Sequence, residues 1–181
     1  MTKTTKTDST QSPLIPIHGM VGPKLWAFLN RQKTIRVATA NADGGIYLSP
    51  LWFVTIGERI YLPLDAGSRH ATNSLAGRAL SAVIDAGDEY ATVHGVRIQG
   101  KLQAVAAGQL FDQVMERVFE KYFYEGHPYA ESYFLFGRAA GRQVLELVVD
   151  KIAGWDMREG ALPTVPESRT LPAFVKDRRL A

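Results

Sequence analysis

Hydrophobic and polar residues alternate in short runs along the first half of the chain, and turn-forming residues separate the runs. Such runs, bounded by glycine, asparagine or aspartate, are typical of strands joined by tight turns. The predicted strands are residues 35–40, 46–56, 59–64, 80–85 and 90–106. Pro50 interrupts the second of them, and Gly100 indicates a bulge or bend in the fifth.

A helical period replaces the alternation in three places. Pro23 stands in the first turn of a helix that ends near Lys33, and a short helix starts at Ser68. Over residues 109–125, apolar residues recur at helical spacing, and Gly126-His127-Pro128 ends this helix.

The last third of the predicted domain returns to strands. Residues 132–137 are ambiguous, whereas residues 143–149 and 152–157 predict a sixth and a seventh strand. Mostly consecutive strands with one long inserted helix favour a small antiparallel barrel over a doubly wound sheet. We therefore predict a mainly β (α+β) fold with flanking helices.

The chain of 181 residues is long enough for one domain with a sizeable core. Residues 1–16 are polar and rich in threonine, and predict a flexible leader. Residues 17–158 form the single predicted domain. Residues 159–181 carry several prolines without any period, which predicts an extended C-terminal arm.

Charge and composition narrow the function classes. The net charge of +3 and the pI of about 9.2 suit anionic small molecules, and the scattered basic residues do not predict nucleic-acid binding. Without a signal peptide or an apolar run that could span a bilayer, we expect a cytoplasmic protein with no membrane partner.

The sequence lacks the residues or motifs that several classes of catalytic and metal site require. The absence of cysteine excludes disulfides, thiolate nucleophiles and iron–sulfur clusters. The four histidines lack metal-ligand spacing, so we expect no metal site, although one histidine could still ligate haem. No catalytic triad, phosphate loop of the Walker type or paired-carboxylate motif is present, and the catalytic residues stay unidentified.

The turn Gly67-Ser68-Arg69-His70 lies between a predicted strand and the short helix. Free backbone N–H groups at the start of a helix favour an anion, and a guanidinium adds a planar fork that fits a phosphate. We interpret the turn as a phosphate pocket for a flavin-type cofactor. The structural alternative is a serine that merely caps the helix, followed by surface charges.

Three segments follow one another in an informative order. They are the hairpin from Val37-Ala38-Thr39 through Asp43-Gly44 to Ser49-Pro50-Leu51-Trp52-Phe53, the turn Gly67-Ser68-Arg69-His70 with Asn73, and the strand Val96-Arg97-Ile98-Gln99-Gly100-Lys101. In order and spacing they resemble the pyridoxamine-phosphate-oxidase-like, split β-barrel flavoprotein superfamily. The resemblance covers residues 35–105 and extends more weakly to Trp155.

The resemblance implies a homodimeric split β-barrel with the cofactor in a groove at the dimer interface. The cofactor-binding residues that it implies are Ser49, Pro50, Leu51, Trp52, Leu64, Asp65, Ser68, Arg69, His70 and Asn73. Ser68 and Arg69 would hold the phosphate, the strand around Ser49 would follow the flavin ring, and Trp52 could wall that ring or pack in the core. His70 occupies a position where the family commonly has lysine, and a bound phosphate would favour its charged form.

Two departures from the family pattern argue against oxidation of vitamin B6. Ser49 stands where true pyridoxamine phosphate oxidases have arginine, and Trp155-Asp156-Met157-Arg158 replaces their substrate motif. The chain looks closer to the variable branch of flavin and deazaflavin reductases. We therefore expect an FMN-dependent oxidoreductase acting on a small molecule, with a deazaflavin coenzyme as the second choice.

Two further hypotheses stay open. One is a non-catalytic cofactor carrier or haem-binding protein on the same scaffold. The other is a basic interaction module for nucleic acid, which a steep salt dependence of DNA binding would reveal.

Overall fold

In the part of the chain that the structure describes, seven antiparallel strands form one sheet, and four helices flank it. The computed structural model describes residues 19–137 and 141–160. The strands are β1 (Ile35–Ala40), β2 (Ile46–Leu51), β3 (Val54–Ile56), β4 (Arg59–Asp65), β5 (Leu80–Ala86), β6 (His94–Ala104) and β7 (Arg142–Asp156). The helices are α1 (Gly22–Arg31), α2 (Arg69–Leu75), α3 (Gln109–Tyr122) and α4 (Ala130–Gly137).

The chain passes from one edge of the sheet to the other through two residues. The strand order is β2-β1-β5-β6-β7-β4-β3, so β2 and β3 are the outer strands, yet only Trp52 and Phe53 separate them. Three Cα steps span at most about 11 Å. The end of β2 therefore lies beside the start of β3, and the sheet curls into a half-barrel. This confirms the predicted antiparallel split barrel with flanking helices.

The strand predicted over residues 46–56, with an interruption at Pro50, is divided at a different place, because the chain changes edge at Trp52 and Phe53. Pro50 does not cause the break. It lies within β2 opposite Arg36, and an outer strand tolerates proline because one side of its backbone has no neighbouring strand.

The fifth predicted strand begins later than expected. Residues 90–93 form a turn in which the backbone N–H groups of Thr92 and Val93 both donate to the carbonyl of Glu89. Because these N–H groups bond within the turn, they do not form hydrogen bonds to a neighbouring strand, and β6 starts at His94.

The two strands predicted over residues 143–149 and 152–157 are one continuous strand, β7. It pairs with β4 through its first half and with β6 along most of its length. The register shifts between Gln99 and Gly100, which leaves Asp150 of β7 without an opposite residue. The irregularity predicted at Gly100 is thus confirmed, and it allows one long strand to bend around the barrel.

Two clusters of buried side chains hold the elements together. The larger one lies inside the curl, where Leu25 and Leu29 of α1 pack on the strands. The smaller one joins Val114 and Val118 of α3 to β3, β4 and β7. Residues 1–16 and 161–181, in the predicted leader and arm, lie outside the described residues. Within the described part, no helix has both the length and the apolar character to cross a membrane.

Candidate functional site

A groove of about 200 Å³ opens where β2, β4 and the start of α2 meet. Its lining residues are Tyr47, Ser49, Leu51, Pro63, Leu64, Asp65, Ser68, Arg69, His70 and Arg142. Most of the residues predicted to bind a cofactor thus share one groove, although they come from separate segments of the chain. Pro50, Trp52 and Asn73 do not line it.

Strand periodicity explains how β2 contributes to the groove. Successive side chains of a strand point to opposite faces, so Tyr47, Ser49 and Leu51 line the groove together. Pro50 lies on the opposite, exposed face of the strand.

Arg69 and Ser68 form the mouth of the groove at the start of α2. The guanidinium of Arg69 is exposed and lies 5.0 Å from the ring centroid of Tyr47, and no carboxylate of the described residues pairs with it. Ser68 Oγ accepts a hydrogen bond from the backbone N–H of Ala71 at 3.4 Å. Ser68 therefore caps α2, which is the purely structural role considered for it above, and it also lines the groove.

Arg142 is a second guanidinium in the groove, and it was not among the residues predicted from the sequence. Its Nη1 lies 2.5 Å from Asp65 Oδ1, and its Nη2 donates to the hydroxyl of Tyr133 at 3.3 Å. Its Nε is buried without a hydrogen-bond partner among the described residues. No signal in the sequence marked Arg142, because it reaches the groove through the β4–β7 register, which pairs it with Asp65 in the folded structure.

His70 is buried behind the groove, with 2% of its surface exposed. Its Nε2 lies 2.7 Å from Ser49 Oγ, and its Nδ1 lies 3.1 Å from Thr39 Oγ1. Burial lowers the pKa of the imidazole below its usual 6.5. The ring lies in the interior with both nitrogens engaged, a placement that the sequence did not reveal.

Asn73 lies on the far side of His70 from the groove. Its amide donates to Thr39 Oγ1 at 3.1 Å and to Asn41 Oδ1 at 2.9 Å, and it accepts from Arg78 at 2.6 Å. Asn73 thus connects the groove residues to a recess on the surface that Asn41 and Arg78 also line.

Trp52 walls a second, aromatic hollow of about 440 Å³ beside the groove. Its ring stacks on Tyr122 with centroids 4.2 Å apart. The hollow is lined by Trp52, Tyr122, Phe123, His127, Tyr129, Ser132, Tyr133 and Phe136. The helix α4, which arose from the ambiguous segment at residues 132–137, supplies one wall.

Arg142 connects the hollow to the groove. Its guanidinium bonds to the hydroxyl of Tyr133 and lies 5.0 Å from the ring centroid of Phe136. Both aromatic residues line the hollow, and Arg142 itself lines the groove. A cationic groove and an aromatic surface are therefore neighbours.

Tyr122 and Lys121 bond to the backbone of Phe53, where the chain passes from β2 to β3. The hydroxyl of Tyr122 lies 2.9 Å from both the N–H and the carbonyl oxygen of Phe53, and burial raises its pKa to about 12. Lys121 donates to the same carbonyl at 3.0 Å. Burial, together with the nearby charge of Lys33, lowers the pKa of Lys121 to about 8.

The sequence matches a family model described as pyridoxamine 5'-phosphate oxidase over residues 21–156. No curated protein matches the chain at a significant level.

Solved structures with the same fold come from several bacteria. A conserved hypothetical protein of Mycobacterium tuberculosis is 25% identical, with a TM-score of 0.70 over 90% of this chain and 99% of that one. HutZ, the haem storage protein of Vibrio cholerae, is 17% identical, with a TM-score of 0.60 over 75% and 96% of the two chains. An FAD-binding protein of Mesorhizobium loti is 12% identical, with a TM-score of 0.57 over 77% and 95%.

Proposed function

The chain belongs to the pyridoxamine 5'-phosphate oxidase family, and from this premise we propose that it is a flavin-type oxidoreductase that binds FMN. One observation carries the proposal: a groove with two guanidinium groups adjoins an aromatic hollow. FMN combines the same two chemistries, since it has a phosphate at one end and a flat aromatic ring at the other.

The groove has the donors that a phosphate requires. Arg69 has no carboxylate partner in the described part of the chain, and Arg142 retains donors beyond those that Asp65 and Tyr133 engage. The carboxylate of Asp65 would oppose an anion, but its charge is offset by Arg142 at 2.5 Å. With the hydroxyl of Ser68, these guanidinium groups would hold the phosphate.

The aromatic hollow offers the surface that a flavin ring requires. Aromatic rings stack in offset or edge-to-face arrangements, and Trp52 presents an exposed ring of this kind, with 41% of its surface accessible. Ligand pockets of ~300–1,000 Å³ are usual, whereas the groove alone measures about 200 Å³. The hollow and the groove together are therefore the better candidate for the cofactor site.

Bound FMN would supply hydride transfer, and the protein would supply orientation and electrostatics. With this division of labour the protein needs no general acid or base. Asp65 and His70, which line the groove, are engaged with Arg142 and with Thr39 and Ser49 respectively.

The contacts of Arg158 argue against oxidation of vitamin B6. Its guanidinium donates twice to the carboxylate of Asp156, at 2.8 Å each, and Lys24 also pairs with this buried carboxylate. Asp156 and Arg158, two residues of the segment that replaces the family's substrate motif, therefore bond to each other at the end of β7 that is remote from Arg142. We propose a different small-molecule substrate.

We also propose that the protein acts as a homodimer. The outward face of β2 exposes Ile46 and Leu48 at 68% and 63%, while its inward face lines the groove. Apolar side chains on an outer strand favour association. A second subunit on this face would lie close to the groove and could complete its wall.

A haem-binding protein is the second candidate, because a histidine borders the aromatic hollow. His127 lines the hollow. Its Nε2 could ligate iron if the ring proton moves to Nδ1, which would break the hydrogen bond that Nδ1 accepts from the N–H of Tyr129. The absorbance and mass of the co-purified ligand distinguish the candidates: flavin bands support FMN, a Soret band supports haem, and the mass identifies a deazaflavin.

The substitution Arg69→Ala tests the groove directly. Loss of a charged hydrogen bond should weaken FMN binding by roughly 1.5–3 kcal/mol, about ten- to a hundredfold in Kd. Flavin fluorescence titration measures the Kd. Arg97→Ala is the matched control, because Arg97 is also an exposed arginine but lies on β6, away from the groove. An unchanged Kd for Arg69→Ala would contradict the proposed phosphate site.

A further inference from the structure

A row of polar side chains runs through the protein from a surface recess to the groove. It consists of Arg78, Asn73, Thr39, His70 and Ser49, and each is within hydrogen-bond distance of the next. The three central members are buried, with Asn73 3%, Thr39 1% and His70 2% exposed. Buried polar groups need partners of the correct donor or acceptor type, so the proton positions along the row can be deduced.

Arg78 determines which group donates and which accepts in the first hydrogen bond of the row. A guanidinium only donates, so the atom of Asn73 that lies 2.6 Å from Arg78 Nη1 is the carbonyl oxygen Oδ1. The amide nitrogen of Asn73 therefore faces Thr39 Oγ1 at 3.1 Å and Asn41 Oδ1 at 2.9 Å, and it donates to both.

Thr39 accepts a hydrogen bond from Asn73 and therefore donates one to His70. Its hydroxyl oxygen accepts from Asn73, and among the described residues the only acceptor for its own proton is His70 Nδ1 at 3.1 Å. The opposite arrangement, with Nδ1–H donating to Thr39, would bury a hydroxyl proton without an acceptor.

His70 then donates to Ser49. Since Nδ1 accepts, the single proton of the neutral ring is on Nε2, which lies 2.7 Å from Ser49 Oγ. Ser49 accepts this bond, and its own O–H is left to donate. Because Ser49 is half-buried and lines the groove, the groove is where that proton finds a partner. The lowered pKa of His70 agrees with a neutral ring.

We propose that this row is a directed relay of hydrogen bonds that makes Ser49 a donor toward an acceptor atom of the ligand in the groove. A carbonyl oxygen or an unprotonated ring nitrogen would be favoured at that point, and an N–H group would be disfavoured because it leaves two donors facing each other. The ligand part of this inference rests on the proposed function, whereas the direction of the relay does not.

The substitution Asn73→Asp tests the direction, because a carboxylate only accepts. Thr39 would then donate to Asp at position 73 and accept from His70, so the proton of the ring would move from Nε2 to Nδ1. In ¹⁵N-histidine-labelled protein, long-range ¹H–¹⁵N NMR should show the Nε2–H tautomer for wild-type His70 at pH 7 and the Nδ1–H tautomer for Asn73→Asp.

Asn41→Asp is the matched control for the added charge. Its carboxylate would still accept from Asn73, so the wild-type tautomer should persist. A wild-type ring protonated on Nδ1, or a folded Asn73→Asp protein that keeps the wild-type tautomer, would overturn the relay.

The role of Ser49 is tested by FMN binding. Ser49→Ala should raise the Kd for FMN by about three- to tenfold, the equivalent of one hydrogen bond. Ser81→Ala, at an exposed position of β5 that does not line the groove, should leave it unchanged. An unchanged Kd for Ser49→Ala would overturn the ligand part. A wild type that does not bind FMN would overturn both the proposed function and the ligand part, while the NMR experiment would still decide the direction of the relay.

Discussion

At the scale of single residues, burial controls the protonation of His70. The ring is held between Thr39 and Ser49, and desolvation lowers its pKa from the usual 6.5. In the unfolded chain the same histidine titrates near pH 6.5. Between these two pKa values the unfolded state binds a proton that the folded state does not bind.

We therefore expect His70 to make the protein less stable as the pH falls. Its contribution is fully present above pH 6.5, and it declines below pH 6.5, by at most ~1.4 kcal/mol per pH unit, until the folded pKa is reached. Chemical denaturation of wild type and His70→Gln between pH 5 and 8 measures this difference, and the other histidines are common to both proteins. Parallel pH profiles would contradict the prediction.

At the scale of elements, the bulge between β6 and β7 depends on a glycine. A Cβ at Gly100 would lie 2.2 Å from the carbonyl oxygen of Val148 and 3.3 Å from Leu147 Cδ1. The first of these contacts is with backbone, which cannot move without disturbing the register on both sides of the bulge. The bulge lies in the β6–β7 ladder, whereas Arg142 is paired with Asp65 in the separate β4–β7 ladder.

Gly100→Ala should consequently lower the free energy of unfolding by about 1–3 kcal/mol, the usual cost of overpacking. Denaturation followed by tryptophan fluorescence measures the loss. Gly19→Ala serves as the control, since a Cβ at that glycine meets nothing within 4 Å. Equal stabilities of the two variants would show that the strands can part at the bulge without penalty.

At the scale of the whole molecule, the proposed dimer depends on the outward face of β2. Ile46 and Leu48 lie on this face, and the groove residues Tyr47 and Ser49 lie on the other. A partner that covers the outward face would therefore hold β2 in position for the cofactor.

A lysine in place of Leu48 should disrupt this interface, because it would place a charge in an apolar contact. We expect Leu48→Lys to shift the protein toward the monomer in light scattering and to weaken FMN binding as well. Glu58→Lys, in the exposed turn before β4, should change neither property. A wild-type monomer, or a Leu48→Lys dimer, would refute the proposed interface.

The local elements, and the turn at the mouth of the groove, could be predicted from the sequence alone. Alternation and turn residues predicted most of the strands, helical spacing predicted α3, and Ser68 and Arg69 marked the turn that lines the groove. These features depend on neighbours within a few positions, where the backbone period and the turn chemistry act directly.

Features that depend on pairing between distant segments became visible only in the folded structure. Curling of the sheet split residues 46–56 between two edges, and the β4–β7 register brought Arg142 to Asp65. His70 is buried, and both of its ring nitrogens have hydrogen-bond partners. The local sequence pattern is equally compatible with a charged histidine on the surface. Such contacts join residues far apart in the chain, and strand register and barrel closure select them after the local periods are satisfied.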